Sequence, residues 1–208
     1  MISLLVQRGS SDRRPESWKP DLESMRLGDV IGSGGGWKKR WEIVEPVAET
    51  TTTCELFSVA SKRGQDAPSL GLVRPVEISD LVVTPNPDYR PRGVDDVDVD
   101  LFGTETELLE ATPVVAKYRY RCAYRACKGH EQSIVDWESG QFARRNLKHH
   151  TMPEVTEMHR RRFLDEICGS TRDTLFYVGN QHQHPASFLV LGLFWPPQNS
   201  RPHPTLFD

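Results

Sequence analysis

The stretch Lys117-Tyr118-Arg119-Tyr120-Arg121-Cys122-Ala123-Tyr124-Arg125-Ala126-Cys127-Lys128-Gly129-His130 organises the rest of this sequence. From Lys117 to Arg121 basic and aromatic residues alternate. A period of two belongs to a β-strand, whose successive side chains point to opposite faces. Residues 132–135 are placed to return antiparallel to it. The turn between them carries the spacing Cys122-x4-Cys127-x2-His130. Zinc takes four thiolate or imidazole ligands in a tetrahedron, and two cysteines on a tight turn supply two of its corners. Gly129 lets the chain curl around an ion with no Cβ in the way. Positive charge on Arg125 and Lys128 favours the thiolate forms that bind metal. The expected metal ligands are Cys122, Cys127, His130 and, as the fourth, Cys168; His149 or His150 is the second choice for that place. The alternative is that both cysteines are small buried residues at strand ends and that His130 bonds a backbone carbonyl.

Working outward, residues 2–6 read as a short buried strand and residues 9–20 as a loop broken by Pro15 and Pro20. Gly32 to Gly36 form a flexible turn. Trp37, Trp41 and Val44 recur at helical spacing before Pro46, and residues 51–62 suggest a second helix. Residues 69–73 and 76–83 are rich in Val, Leu and Ile and read as strands, with Pro75 at an edge or break. Residues 136–148 suggest a helix interrupted by Gly140. A stronger one starts at Thr151, where Thr151 and Glu154 have capping-box spacing, and Gly169 sits where a left-handed cap belongs. Residues 174–178 and 187–195 are two strands. The tail from Pro196 carries four prolines and reads as extended. The pattern gives an α+β fold with a mixed or largely antiparallel sheet, flanking helices and a zinc-knuckle-like hairpin in the C-terminal half. It divides into an N-terminal α+β region (1–87), an acidic, proline-dotted linker or loop (88–112) and a C-terminal α+β region (113–208), all of which one continuous domain could contain.

The chain has 208 residues, 37% of them hydrophobic and 26% charged, which fits a globular protein able to form a core without disulfides. Its strongest apolar run near the C-terminus, residues 188–195, is far short of the roughly 20 residues that cross a bilayer. Residues 1–6 are too short for a signal-peptide core and are followed by Arg8, Arg13 and Arg14. The expectation is a cytoplasmic protein with no membrane partner, in which four cysteines serve metal, nucleophile or packing roles rather than disulfides.

Formal net charge is −3, but the charge is unevenly spread. Residues 88–116 hold eight acidic and two basic residues, whereas residues 117–172 hold twelve basic and seven acidic ones. A local basic surface can bind nucleic acid whatever the total charge, although a charge run is more commonly a solvated face. On a strand, Tyr118 and Tyr120 share one face and Arg119 and Arg121 the other. That offers a stacking face and a phosphate-binding face; the alternative is tyrosines in the core and arginines in water. Arg125, Lys128, Arg144 and Arg145 extend the basic set, with Arg160, Arg161 and Arg162 beyond it. His182 and His184, in the loop between the last two strands, could bond a phosphate or a base edge, or simply form a polar hairpin tip.

Asp136 and Glu138, near His130, suggest a magnesium site for phosphodiester chemistry with those three residues as its catalytic set. Asp136 reads equally as a helix cap. The H-E-x-x-H zinc-protease pattern, the phosphate-binding G-x-x-x-x-G-K-[ST] loop and the G-x-S-x-G nucleophile motif are all absent.

The elements Tyr-Arg-Cys122-x4-Cys127-Lys-Gly-His130-x5-Asp136-Trp137-Glu138 and Phe176-Tyr-Val-Gly-Asn180…Leu191-Gly-Leu-Phe-Trp-Pro-Pro197 resemble a poorly characterised family of small prokaryotic proteins, over most of the chain. The resemblance implies that knuckle and terminal strand pair form a unit; it carries no activity and no site. The expected function is nucleic-acid binding with a structural zinc knuckle, as a component of a DNA- or RNA-processing or antiviral defence assembly with possible protein partners. The alternatives are a metal-dependent nuclease using magnesium and a protein–protein adaptor without catalysis.

Overall fold

The alternation at Lys117–Arg121 lies in the middle of a six-stranded mixed sheet. A computed structural model of the chain describes residues 1–9, 12–90, 98–99, 105–106 and 111–201. The strands of the sheet are β1 (Leu70–Val73), β2 (Pro75–Pro85), β3 (Val114–Cys122), β4 (His130–Ile134), β5 (Leu175–Gln181) and β6 (His184–Phe194). Their spatial order is β1-β5-β6-β4-β3-β2. Neighbours run antiparallel, except that β4 and β6 are parallel. The fold is therefore α+β with a mixed sheet. Strands on both sides of the acidic segment share this sheet, because β2 pairs directly with β3. Much of the expected linker (residues 91–97, 100–104 and 107–110) and the end of the tail (202–208) lie outside the described residues.

Among the described residues, four α-helices flank the sheet: α1 (Lys38–Val44), α2 (Thr53–Arg63), α3 (Trp137–Leu147) and α4 (Met152–Arg160). Thr52 and Glu55 form a capping box at the start of α2, as Thr151 and Glu154 do at α4, so part of the unpaired N–H set at each of these two starts finds an acceptor. The inward face of β3 presents Ala116, Tyr118, Tyr120 and Cys122 to a core that includes Leu56 and Ala60 of α2, Phe163, Ile167, Phe176 and Val190. Trp41 and Val44 of α1 cover the opposite face of the sheet at one end, over Leu72, Leu175 and Phe194.

Three local expectations are corrected. Residues 2–6 do not make a buried strand: Ile2–Ser3 and Val6–Arg8 are separate exposed strands paired with Arg26–Leu27 and Trp18–Pro20. Such short pairs cannot bury a face of their own. The loop expected over 179–185 shrinks to a tight hairpin, since β5 runs to Gln181 and β6 starts at His184. Beyond Arg160, the helix widens into a π segment at Arg161–Glu166, and Gly169 is not left-handed. Glycine is needed there for space, because an added Cβ would fall 2.2 Å from the Asp165 carbonyl oxygen.

Between α3 and α4, the fully buried His159 ring bonds Ser139 Oγ through Nε2 at 2.8 Å and stacks on Phe163 at 4.5 Å. Burial pushes its pKa down to about 4 from the ordinary 6.5. Between those values the unfolded chain binds a proton that the native state refuses, so stability is full above pH 6.5 and falls toward pH 4. The expected loss is about 3 kcal/mol, and His159→Gln should remove about that much of the pH dependence in denaturant titrations across this range. An unchanged pH profile would contradict the assignment. Gly169→Ala should cost about 2 kcal/mol or more, seen as a thermal midpoint several degrees lower.

Candidate metal centre

The knuckle is built where β3 ends and β4 begins. Cys122 is the last residue of β3 and His130 the first of β4, directly after Gly129 at φ +103°. That left-handed backbone is open to glycine and strained for other residues. The turn is fixed by the Cys127 N–H donating to the Tyr124 carbonyl at 2.9 Å and the Arg121 guanidinium donating to the Cys127 carbonyl at 3.0 Å. The Gly129 N–H points at Cys127 Sγ, 3.4 Å away. Cys122 and Cys127 are each 3% exposed.

The fourth member comes from the other half of the chain. Cys54, in the first turn of α2, places its sulfur 3.5 Å from His130 Nε2. Cys127 and Cys122 sulfurs lie 3.3 and 3.4 Å from the same nitrogen. The four ligand atoms all fall within 4.8 Å of one another, and all the cysteines are free thiols. One imidazole nitrogen carries at most one proton, so it can satisfy one sulfur by hydrogen bonding and not three. The group can hold a metal ion. A second tie runs beside it, where the Tyr120 hydroxyl meets Thr53 Oγ1 at 2.8 Å and also bonds Gln132 Oε1.

The electrostatics favour a cation at this point. Burial, and then the Cys122 and Cys127 sulfurs, push the Cys54 thiol up to about 12. Burial also acts to raise Cys127, but backbone N–H groups of Cys122 and Gly129 and the neighbouring thiols outweigh it and hold that thiol below its ordinary value. Burial lowers the pKa of His130, which keeps its ring neutral and able to donate a lone pair. Three thiolates together are costly here without a positive charge between them, and the positive end of α2 offsets only part of that cost.

Cys168, the fourth ligand expected from sequence, is elsewhere: its sulfur sits 3.8 Å from the Tyr118 hydroxyl, and burial pushes its thiol up to about 12. His149 and His150 are exposed beyond the end of α3 and also stand apart from the cluster. Cys54 left a local signal in the Thr52-x-x-Glu55 box, which puts a thiol at the positive end of a helix. Nothing in the local sequence says that this end faces the hairpin.

The proposed magnesium triad is not assembled. His130 opens β4, whereas Asp136 follows its end and caps α3 by accepting the Glu138 N–H at 2.9 Å. Burial raises the Asp136 carboxyl above its ordinary pKa despite that bond. Tyr118 and Tyr120 point into the core, at 0% and 2% exposure, so neither offers a face to a base. Arg119 and Lys117 both pair with Glu131, at 2.9 and 3.4 Å. Arg144 donates to the Ala111 carbonyl at 3.3 Å, while Arg125, Lys128 and Arg145 stay exposed. His182 and His184 are exposed at the β5–β6 turn, with His182 Nε2 3.1 Å from Gln65.

The model of one protein family, described as a domain of unknown function (DUF8757), matches residues 48–208, and the chain belongs to that family. All four residues of the cluster lie within the matched part. No curated protein and no solved structure matches the chain.

The geometry predicts that Cys54→Ser lowers bound metal as strongly as Cys122→Ser, and that Cys168→Ser leaves it unchanged, measured by metal content after dialysis. Chelation should lower the thermal midpoint by ~10 °C or more, because metal-binding energy is folding energy in such a site. Metal retained in Cys54→Ser and lost in Cys168→Ser would reverse the assignment.

Proposed function

For this member of a family with no assigned activity, we propose that Cys54, Cys122, Cys127 and His130 hold a structural zinc ion, and that the knuckle it braces binds nucleic acid. The observation that carries the reading is the meeting of three sulfurs on one imidazole nitrogen, at 3.3, 3.4 and 3.5 Å. Zinc–sulfur and zinc–nitrogen bonds of about 2.3 and 2.0–2.1 Å in a tetrahedron give sulfur–nitrogen edges of about 3.6 Å. Soft thiolates with an imidazole select zinc over magnesium or calcium, which prefer oxygen. Four protein ligands leave no open position for a reacting water, so the role is structural rather than catalytic.

The nucleic-acid part of the reading moves from the strand to the tip of the turn. Tyr124 is 46% exposed there, flanked in sequence by Arg125 and followed by the exposed Lys128. An exposed ring beside two cations suits a stacked base with its phosphates in a single strand. The ion held beneath would fix the turn and so lower the entropy lost on binding.

Elemental analysis should give one zinc per chain. Fluorescence anisotropy with single-stranded DNA and RNA should show binding that weakens as salt rises. In the double variant Arg125→Ala, Lys128→Ala the slope of log affinity against log salt should fall by about 1.4, the share of two phosphate contacts on a single strand. A preparation without zinc would sink the metal assignment. No complex at low salt would sink the nucleic-acid reading and leave the metal site standing.

A further inference from the structure

A pocket of about 350 Å³ opens between α3 and the π segment that follows α4, within the size range of small-ligand sites. Its chemistry divides into three parts. The floor is apolar, with the Phe142 and Phe163 rings edge to face at 5.8 Å. One wall carries Trp137, 68% exposed at the start of α3. Two arginines, Arg145 and Arg162, also line the pocket.

These cations differ in their commitments. Arg162 donates to Glu166 at 2.7 Å and lies over Trp195, with 5.2 Å from its central carbon to the ring centre. Arg145 makes no ion pair among the described residues and lines the pocket. Glu138, on the first turn of α3, supplies an acceptor at the same rim as Trp137.

The backbone supplies an independent indication. Arg162 and Phe163 reach the pocket from Arg161–Glu166, six residues of π-helix. A π turn is rare because its hydrogen-bond geometry is poorer than that of an α-helix, and it is found frequently at functional sites. Here it forms one wall of the pocket.

We propose that this pocket binds a nucleotide, with its base stacked on Trp137, its phosphate held by Arg145 and Arg162, and Glu138 accepting from an amino or hydroxyl group. Planar guanidinium groups grip phosphate oxygens through paired N–H donors, and an exposed indole is the best stacking platform among the side chains. The site stands apart from the knuckle: His130 opens β4, whereas Trp137 follows the far end of that strand. A free mononucleotide and the 5′-phosphorylated end of a single strand offer the same chemistry.

Isothermal titration tests it with AMP, CMP, a 5′-phosphorylated decadeoxynucleotide, adenosine and inorganic phosphate. The expected result is one saturable site for AMP or CMP, with adenosine and phosphate each at least tenfold weaker. Trp137→Ala and Arg145→Ala should each weaken binding tenfold or more, and Trp137→Phe should recover part of the loss. Both side chains lie on the surface, and circular dichroism checks that the variants fold. The knuckle variant Arg125→Ala, Lys128→Ala should bind mononucleotide as the parent does, so a failure of the nucleic-acid reading and a failure here are separable. In that knuckle variant, tighter binding of the decanucleotide than of AMP or CMP assigns the pocket to strand ends, and equal or weaker binding assigns it to free nucleotide. No saturable binding of any nucleotide probe, or an affinity unchanged in Arg145→Ala, overturns the proposal.

Discussion

Three sulfurs and one imidazole nitrogen share a space that hydrogen bonding cannot satisfy. Cys54, Cys122, Cys127 and His130 come from a helix and a hairpin separated by about a third of the chain, yet their ligand atoms lie within 4.8 Å of one another. A ring nitrogen with one proton serves one partner at a time, and burying ionised thiols beside each other is unfavourable. An ion at the centre would resolve both difficulties. It would also turn the packing of α2 on the hairpin from a hydrophobic contact into a cross-link. The Tyr120 hydroxyl, bonded to Thr53 and Gln132, shows the same two elements joined again next door.

The strand that carries this knuckle separates its two chemistries cleanly. The tyrosines of β3 enter the core, where the Tyr118 hydroxyl donates to the Phe163 carbonyl at 2.8 Å. Arginine and lysine take the other face, and Glu131 on β4 meets Arg119 and Lys117 across the strand pair. An aromatic–basic alternation therefore produced a packed and largely neutralised sheet rather than a stacking platform. What stays available to a charged partner is the turn, held out from the sheet by the residues that form the centre, and the pocket at the far end of β4.

The hairpin, the capping box at Thr151 and most strands could be read from the chain because each is a local pattern. Period two at Lys117–Arg121 needs no distant partner to be recognised, nor does Thr151-x-x-Glu154. The fourth thiol was not legible for the opposite reason. Cys54 opens one helix and Cys168 follows the end of another, and only the docking of α2 against the end of β3 decides between them. Asp136 shows how spacing misleads: six residues from His130 along an extended strand is a separation of roughly 20 Å, not a shared site. Gly169 was correctly placed at a constrained position but for the wrong cause, since its constraint is the Asp165 carbonyl rather than a left-handed backbone. The π segment at Arg161–Glu166 has no simple sequence signature.

X-ray absorption at the zinc edge of the purified protein measures the central claim directly. The account predicts a first shell of three sulfurs at about 2.3 Å and one nitrogen at about 2.0–2.1 Å. A shell of oxygen and nitrogen alone, or one with two sulfurs or fewer, would contradict it.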